Sequence, residues 1–136
     1  AQRIRSIEIN PEQKISDSIT DEYIGIINYS IIALIQIELK DNHPLNIDFE
    51  TANSLWNKYF SIAKELMTNK NHDYGEAWRQ MRVSSFTDII LMRIQRIKQI
   101  EDNEGNTFVS EGVEANYLDI INYSIFALIK LLLEKN

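Results

Sequence analysis

Residues 23–39 read YIGIINYSIIALIQIEL, and residues 117–133 read YLDIINYSIFALIKLLL. Eleven of these 17 positions are identical, a match that chance does not produce in a chain of 136 residues. The chain therefore contains an internal repeat. Isoleucine favours strands, but 17 residues without a Pro-Gly turn is a helical length. The sequence predicts two copies of one mostly buried helix.

The repeat extends upstream but is incomplete in its first copy. QRIRSIE at 2–8 mirrors QRIKQIE at 95–101, whereas the segment 46–94 has no counterpart near the start. We expect 1–42 to be the C-terminal half of a first, degenerate repeat and 46–136 to be a complete second repeat, packed as one globular unit. We also expect the native protein to begin earlier, the alternative being a short chain with a vestigial first unit.

The composition excludes several classes of protein. The chain has no cysteine and only two histidines, so thiolate zinc sites, disulfide scaffolds and His-rich metal clusters are ruled out. The formal net charge of −6 argues against general nucleic-acid binding. The most apolar stretch, 24–39, contains polar residues and is too short to suggest a membrane span. We expect a cytoplasmic protein with no membrane partner.

Periodicity and capping residues predict four helices. The first runs over about 19–40, capped by Ser16 or Ser18, and the second starts at Asn46 or Asp48. An apolar stripe marks the inner face of the second helix: Phe49, Ala52, Trp56, Tyr59, Phe60, Ala63, Leu66 and Met67.

The second half of the chain continues the helical pattern after a polar turn at 69–75 that is closed by glycine. Ser85 and Asp88 predict a capping box for a third helix that ends near residue 100. A loop over 101–112 leads into the last helix, about 113–134. The expected fold is all-α, a helical bundle with antiparallel neighbours.

Charges cluster along the second half of the chain. Residues 79–98 carry five bases and one acid, and residues 101–119 carry six acids and no base. Arginine forks bind phosphate oxygens, and carboxylates hold Mg²⁺ beside phosphate, so the pair of segments suggests a phosphate-plus-metal site. The alternative is two solvated faces joined by weak surface ion pairs.

Asp119 and Asn122 lie three residues apart near the start of the apolar last helix, so both project from one face. Burying a carboxylate there is costly unless it is paired or bound to metal. In the first repeat Gly25 replaces the Asp, while Asn28 matches the Asn. Two interpretations stay open for Asp119: a functional carboxylate, or a core-edge ion pair with Arg93 or Arg96.

Three elements together resemble a known family: KNHDYGEAWR at 70–79, SFTDIILMRIQRIK at 85–98 and NYLDIINYSIFALI at 116–129. The sequence is similar to the nucleotide-modification-associated domain, with the resemblance covering about 48–134 and the first-repeat remnant in front. Its last helix is also similar in style to the acidic helix of MazG-like nucleoside triphosphate pyrophosphohydrolases.

The resemblance implies an all-α domain with a role in nucleotide or modified-base metabolism, and a set of site residues. Asp73 and Asp119 would hold Mg²⁺, and Arg93 and Arg96 would take phosphate. Tyr74 or Trp78 would face the base, Gly75 would allow the turn, and Asn122 would complete the nucleotide site.

The sequence supports two functions. One is a domain that binds or processes a nucleotide, with Mg²⁺-dependent phosphate chemistry. The other is a non-catalytic helical module for oligomerisation, because a half-repeat leaves apolar helices in need of partners. In either case we expect a homo-oligomer. Nucleic acid is not expected as a partner, because the acidic segment beside the basic helix would repel its backbone.

Overall fold

The computed structural model describes residues 16–40, 47–103 and 109–133, and within these it describes all side chains except those of 16–18, 73–74 and 109–111. These residues form four α-helices and one short 3-10 helix, with no strand among them. In chain order the elements are α1 (Ser16–Leu39), α2 (Phe49–Tyr74), a 3-10 helix (Ala77–Gln80), α3 (Val83–Asp102) and α4 (Val109–Leu133). The prediction of an all-α fold is confirmed.

The start of α2 lies where its capping residue predicts. Asp48 has extended backbone dihedrals, and its side chain accepts a hydrogen bond of 2.7 Å from the backbone N–H of Thr51. That bond satisfies one of the free N–H groups of the first turn. The other cap prediction, Ser16 or Ser18 for α1, concerns side chains that lie outside the described residues.

The extent of one predicted turn and the start of one predicted helix are wrong. The polar run 69–73 belongs to the last turns of α2, and the chain leaves the helix only at Gly75, whose φ of 61° is the left-handed conformation that glycine adopts most easily. The α3 helix starts at Val83, and the residue before it, Arg82, makes no side-chain capping bond. The capping box predicted at Ser85 is therefore absent, because Ser85 already lies inside the helix.

The predicted inner stripe of α2 is correct in its middle and wrong at its start. Ala63 is fully buried, and Trp56 and Phe60 pack half-buried against the core. Phe49, in contrast, is 81% exposed. Periodicity alone placed Phe49 inside, but the first turn of α2 extends past the part of the bundle that covers the rest of the stripe. The last helix also begins four residues earlier than predicted, at Val109.

The α4 helix is the centre of the bundle, because it packs against α1, α2 and α3. One cluster joins Tyr23 of α1 to the α3–α4 pair, and the other joins the middle of α1 to Ala63 and Ile121. A buried hydrogen bond of 2.6 Å between the Tyr23 hydroxyl and Thr87 Oγ1 ties α1 to α3. Nearly all of the large core residues are therefore isoleucines and aromatics from the repeat and α3.

The α3 and α4 helices are antiparallel, as predicted. The rings of Phe86 and Phe126 have centroids 6.0 Å apart, and Arg93 meets Asp119 further along. At the far end, Ile100 Cδ1 would lie 3.1 Å from a Cβ added at Gly112. Along these three contacts the residue numbers rise on α3 and fall on α4, so the two helices run in opposite directions.

The two copies of the repeat are buried to different extents. Asn122 and Tyr123 of α4 are buried and half-buried, whereas their counterparts in α1, Asn28 and Tyr29, are exposed, Tyr29 by 76%. The difference follows from position, since α4 has extensive contacts with α1 and α3 and further ones with α2, whereas the described contacts of α1 are mostly with α4. Similar sequences therefore serve as a central helix and as a peripheral one.

Polar contacts join the outer face of α1 to α2. Lys58 Nζ donates a 2.6 Å hydrogen bond to Glu38 Oε1, and the Tyr59 hydroxyl donates to the same oxygen. These two bonds lower the pKa of Glu38, the Lys58 bond having the largest effect. Desolvation and the bond to Glu38 raise the pKa of Tyr59.

Two helical segments, Ile19–Leu39 and Gly112–Leu133, are long and apolar enough to cross a membrane by length and composition. The sequence-based view that the first was too short is wrong, because the helix continues upstream of the apolar stretch. In this fold the two segments supply most of the core, a role that also requires apolar helices, so their composition is weak evidence for a membrane. The predicted cytoplasmic location stays a prediction.

Replacing Gly25 with alanine is expected to stabilise the protein by about 1 kcal/mol, the difference in helix propensity between the two residues. Among the described residues, and leaving aside the adjacent residues and backbone of α1 itself, no atom lies within 4 Å of the Cβ that the change would add. Gly75→Ala, in contrast, should destabilise, because it forces alanine into the left-handed region at φ of 61°. Urea unfolding measures both, and a Gly25→Ala chain less stable than the original would contradict the packing described for α1.

The contribution of Glu38 to stability should depend on pH. Because its folded pKa lies below the ordinary value, the stabilisation is present above the unfolded pKa of about 4.3 and is lost as the pH falls through the folded value. Glu38→Gln should therefore destabilise at pH 7 and have a much smaller effect at acid pH. The exposed Glu65 makes no ion pair among the described residues, and Glu65→Gln is the control. Equal effects of the two substitutions at both pH values would refute the role of Glu38.

Candidate functional site

A cavity of about 390 Å³ opens where the end of α2, the 3-10 helix, α3 and α4 meet. Its volume lies in the range of small-molecule sites, roughly 300–1,000 Å³. Its walls combine an aromatic and thioether interior with a few charged and amide groups. The lining residues are Met67, Lys70, Asn71, Ala77, Trp78, Met81, Arg93, Asp119, Asn122, Tyr123 and Phe126.

Asp119 is the charged centre of this cavity. Its Oδ1 accepts from Lys70 Nζ at 3.1 Å, and its Oδ2 lies 3.4 Å from Arg93 Nη2. The carboxylate is largely buried, with a side chain 15% exposed, while the two cations are about half exposed. Of the two partners considered from sequence, Arg93 makes the ion pair. Lys70 was missed, although it begins the motif at 70–79.

Asn122 lies in the cavity wall and is 95% buried, because only 5% of its surface is exposed. Its Oδ1 atom has no hydrogen-bond partner among the described residues. Only three side-chain N or O atoms in that part of the chain are buried without a partner: Arg93 Nε, Asn122 Oδ1 and Ser124 Oγ. Two of the three belong to residues that line the cavity, which is where a bound ligand would satisfy them.

The matching residue of the first repeat behaves differently. Asn28 Oδ1 is exposed and accepts a 3.3 Å hydrogen bond from Trp56 Nε1. Although Asn28 and Asn122 occupy matching positions in the repeat, their side-chain oxygens therefore do not make the same hydrogen bond. Among the described residues, no donor corresponds to the Trp56 indole N–H at Asn122 Oδ1.

Trp78 lines the cavity, and its indole ring already has three described partners. Phe126 stacks on the ring with centroids 4.7 Å apart, and the Arg79 guanidinium lies over it at 4.6 Å. The indole N–H donates to Asn71 Oδ1 at 3.0 Å. Since these contacts use the π system and the N–H, a base could stack on Trp78 only after Arg79 or Phe126 moved. The role predicted for Trp78 in facing the base stays a prediction.

The segment that carries Trp78 is held by a strained turn and a small polar network. Gly75 and Glu76 both have φ of 61°, which is unusual for a glutamate. Glu76 accepts from Arg79 Nε at 2.8 Å and from Asn71, and the Arg79 bond lowers the pKa of Glu76. These bonds join the end of α2 to the 3-10 helix that carries Trp78.

The other predicted site residues lie in three different places. Gly75 is the C-cap of α2, as its proposed role in the turn requires. Arg96 does not line this cavity but an adjacent one, which it shares with Arg93. Asp73 and Tyr74 belong to the last turn of α2, and their side chains lie outside the described residues.

The described side chains do not form a metal site by themselves. Among them, no three His, Asp or Glu residues are placed to hold an ion. Asp119 is the only carboxylate among the described residues of the cavity lining, and its two oxygens already engage Lys70 and Arg93. The prediction that Asp73 and Asp119 hold Mg²⁺ stays a prediction.

Comparison with known families identifies the class of domain. The model of the family described as nucleotide modification associated domain 1 matches residues 1–37 and 70–131, which together make up most of the chain. The chain belongs to this family. The match includes the first-repeat remnant at 1–37 and most of the expected 48–134, but it leaves out 38–69, the segment with most of α2.

The matched part contains the whole cavity lining except Met67. The cavity is thus built almost entirely from the portion of the chain that defines the family, and the segment outside the match contributes little to it. The chain shows no significant match to a curated protein or to a solved structure.

Replacing Asn122 with leucine is expected to stabilise the ligand-free protein by about 1 kcal/mol. The change removes a buried oxygen without a partner and keeps a side chain of similar shape. The matched control is Asn116→Leu, on the same helix. Asn116 is also buried, but its amide donates to the carbonyl oxygen of Gly112. Thermal unfolding should show a gain for Asn122→Leu only, and a loss for both would contradict the unpaired state of Asn122.

Proposed function

We propose that this domain binds a nucleotide in the cavity between α2, α3 and α4, as part of nucleotide modification. The observation that carries the proposal is the buried, unpartnered Oδ1 of Asn122, in the same cavity as the cations Lys70 and Arg93. A buried polar atom without a partner is costly, and it is often retained where a ligand completes it. The family description supports the nucleotide class of ligand.

The inner part of the cavity suits a nucleobase. Tyr123, Phe126 and the two methionines, Met67 and Met81, provide apolar surface for the flat faces of a base. Asn122 presents an amide, which accepts through its oxygen and donates through its nitrogen. An amide in an apolar wall recognises a base by hydrogen-bonding to the donor and acceptor atoms on the edge of that base.

The rim of the cavity suits phosphate. Lys70 and Arg93 are about half exposed and carry two positive charges beside one carboxylate. A phosphate at the rim would compete with Asp119 for these cations and would also be within the reach of a planar arginine fork. In the absence of nucleotide, Asp119 balances the two cations and keeps them from repelling each other.

The proposal is limited to binding. Catalysis of phosphate chemistry requires an activated water or nucleophile, and the described lining offers one carboxylate already held by two cations. The Mg²⁺ expected from the family resemblance would require Asp119 to leave those cations. The homo-oligomer expected from the sequence also stays a prediction.

Binding should appear in calorimetric titrations of the protein with nucleoside monophosphates carrying different bases. Arg93→Gln should weaken binding by about tenfold or more, the effect of losing a charge-assisted hydrogen bond. Asn122→Leu should also weaken binding while leaving the protein folded.

Arg82→Gln is the matched control, since Arg82 is exposed at the start of α3 and does not line the cavity. Binding lost equally in Arg82→Gln and Arg93→Gln would indicate attraction by overall charge. No binding of any nucleotide, with or without Mg²⁺, by a chain that unfolds cooperatively would overturn the proposal.

A further inference from the structure

A second, shallower cavity of about 560 Å³ lies on the α3–α4 surface next to the first. Arg93 lines both cavities, so the two adjoin at this side chain. The lining of the second consists of Leu91, Met92, Arg93, Gln95, Arg96, Gln99 and Asn116.

The second cavity is positive and has no described carboxylate in its lining. It contains two arginines and three amide side chains. Arg93 is partly neutralised by Asp119, whereas Arg96 makes no ion pair among the described residues. A guanidinium without an ion pair, next to neutral amide side chains, is a surface that favours an anion over a neutral or cationic ligand.

The antiparallel packing of α3 and α4 sets the direction from one cavity to the other. Arg96 lies one turn beyond Arg93 on α3, and Asn116 lies one turn before Asp119 on α4. Because the helices run in opposite directions, the direction from Arg93 to Arg96 and the direction from Asp119 to Asn116 are the same along the groove between the helices. Three residues of helix advance about 4.5 Å. A chain of two or three linked phosphates is long enough to cross this step.

We propose that the second cavity holds the distal phosphates of a nucleotide whose base occupies the first cavity. Arg93 lies between the two sites and contacts the phosphate nearest the nucleoside, with its buried and unpartnered Nε as a further donor. Arg96 binds the phosphates beyond it. The ligand class is therefore nucleoside di- or triphosphate in preference to monophosphate. This inference rests on the proposed function, because the base position comes from it.

The test compares the mono-, di- and triphosphate of one nucleoside, and inorganic tripolyphosphate, by calorimetry on the full chain at low salt. The original chain should bind the triphosphate about tenfold or more tightly than the monophosphate. Arg96→Gln should reduce that ratio to about twofold while leaving monophosphate affinity unchanged. Lys98→Gln is the control: Lys98 lies on the same helix and lines neither cavity, so the ratio should stay as in the original chain.

The outcomes separate the two proposals. Nucleotides that bind with no dependence on phosphate number, or a ratio that Arg96→Gln and Lys98→Gln lower equally, would overturn the distal site and leave the nucleotide cavity standing. Tripolyphosphate binding that depends on Arg96, with no nucleotide binding, would overturn the nucleotide cavity and support only the anion site. The absence of binding by every probe would overturn both.

Discussion

The packing of α4 against the other three helices is the constraint on which the rest of the structure depends. The repeated apolar helix supplies both α1 and α4, but among the described residues α4 is the helix that packs against all three others most extensively. A polar residue on one of its packed faces loses contact with water, so it is costly unless it has a hydrogen-bond or ion-pair partner. Asn116 finds one within its own helix, and Asp119 finds two cations on neighbouring helices. Asn122 finds none for its oxygen among the described residues.

The contrast between the repeats shows how position changes the role of a sequence. Asn28 and Asn122 occupy matching places in two nearly identical segments, yet the first faces α2 at the surface and the second faces a cavity in the interior. At Gly25 the peripheral helix carries no side chain, while at Asp119 the central helix carries the charge that organises the cavity rim. The features that suggest a binding site are thus confined to the buried copy.

The sequence was sufficient to predict the class of fold, because its strongest signals are local. The apolar length of each helix and the cap at Asp48 depend on residues close together in the chain, and the repeat is read directly by comparing two stretches of sequence. The antiparallel α3–α4 pair also follows from short connections. The errors occurred where tertiary position decides the outcome, as at Phe49, whose periodicity is right but whose turn extends beyond the core.

The cavity was predictable only in part for the same reason. The motif residues pointed to Trp78, Arg93, Asp119 and Asn122, which the structure brings together in one lining. Lys70 and Phe126 were missed, because a lysine in a polar run and a phenylalanine in an apolar helix give no signal of their own. The separation of Arg96 from the first cavity depends on helix geometry along the α3–α4 groove, which spacing in the sequence does not resolve.

The most direct test of the nucleotide-binding cavity is an NMR titration of the isotopically labelled chain with a nucleoside monophosphate. The account predicts that the side-chain amide of Asn122 and the indole N–H of Trp78 shift on binding, while the indole of Trp56 on the opposite part of α2, which bonds Asn28, does not. Shifts concentrated at Trp56, with none at Asn122, would contradict the account.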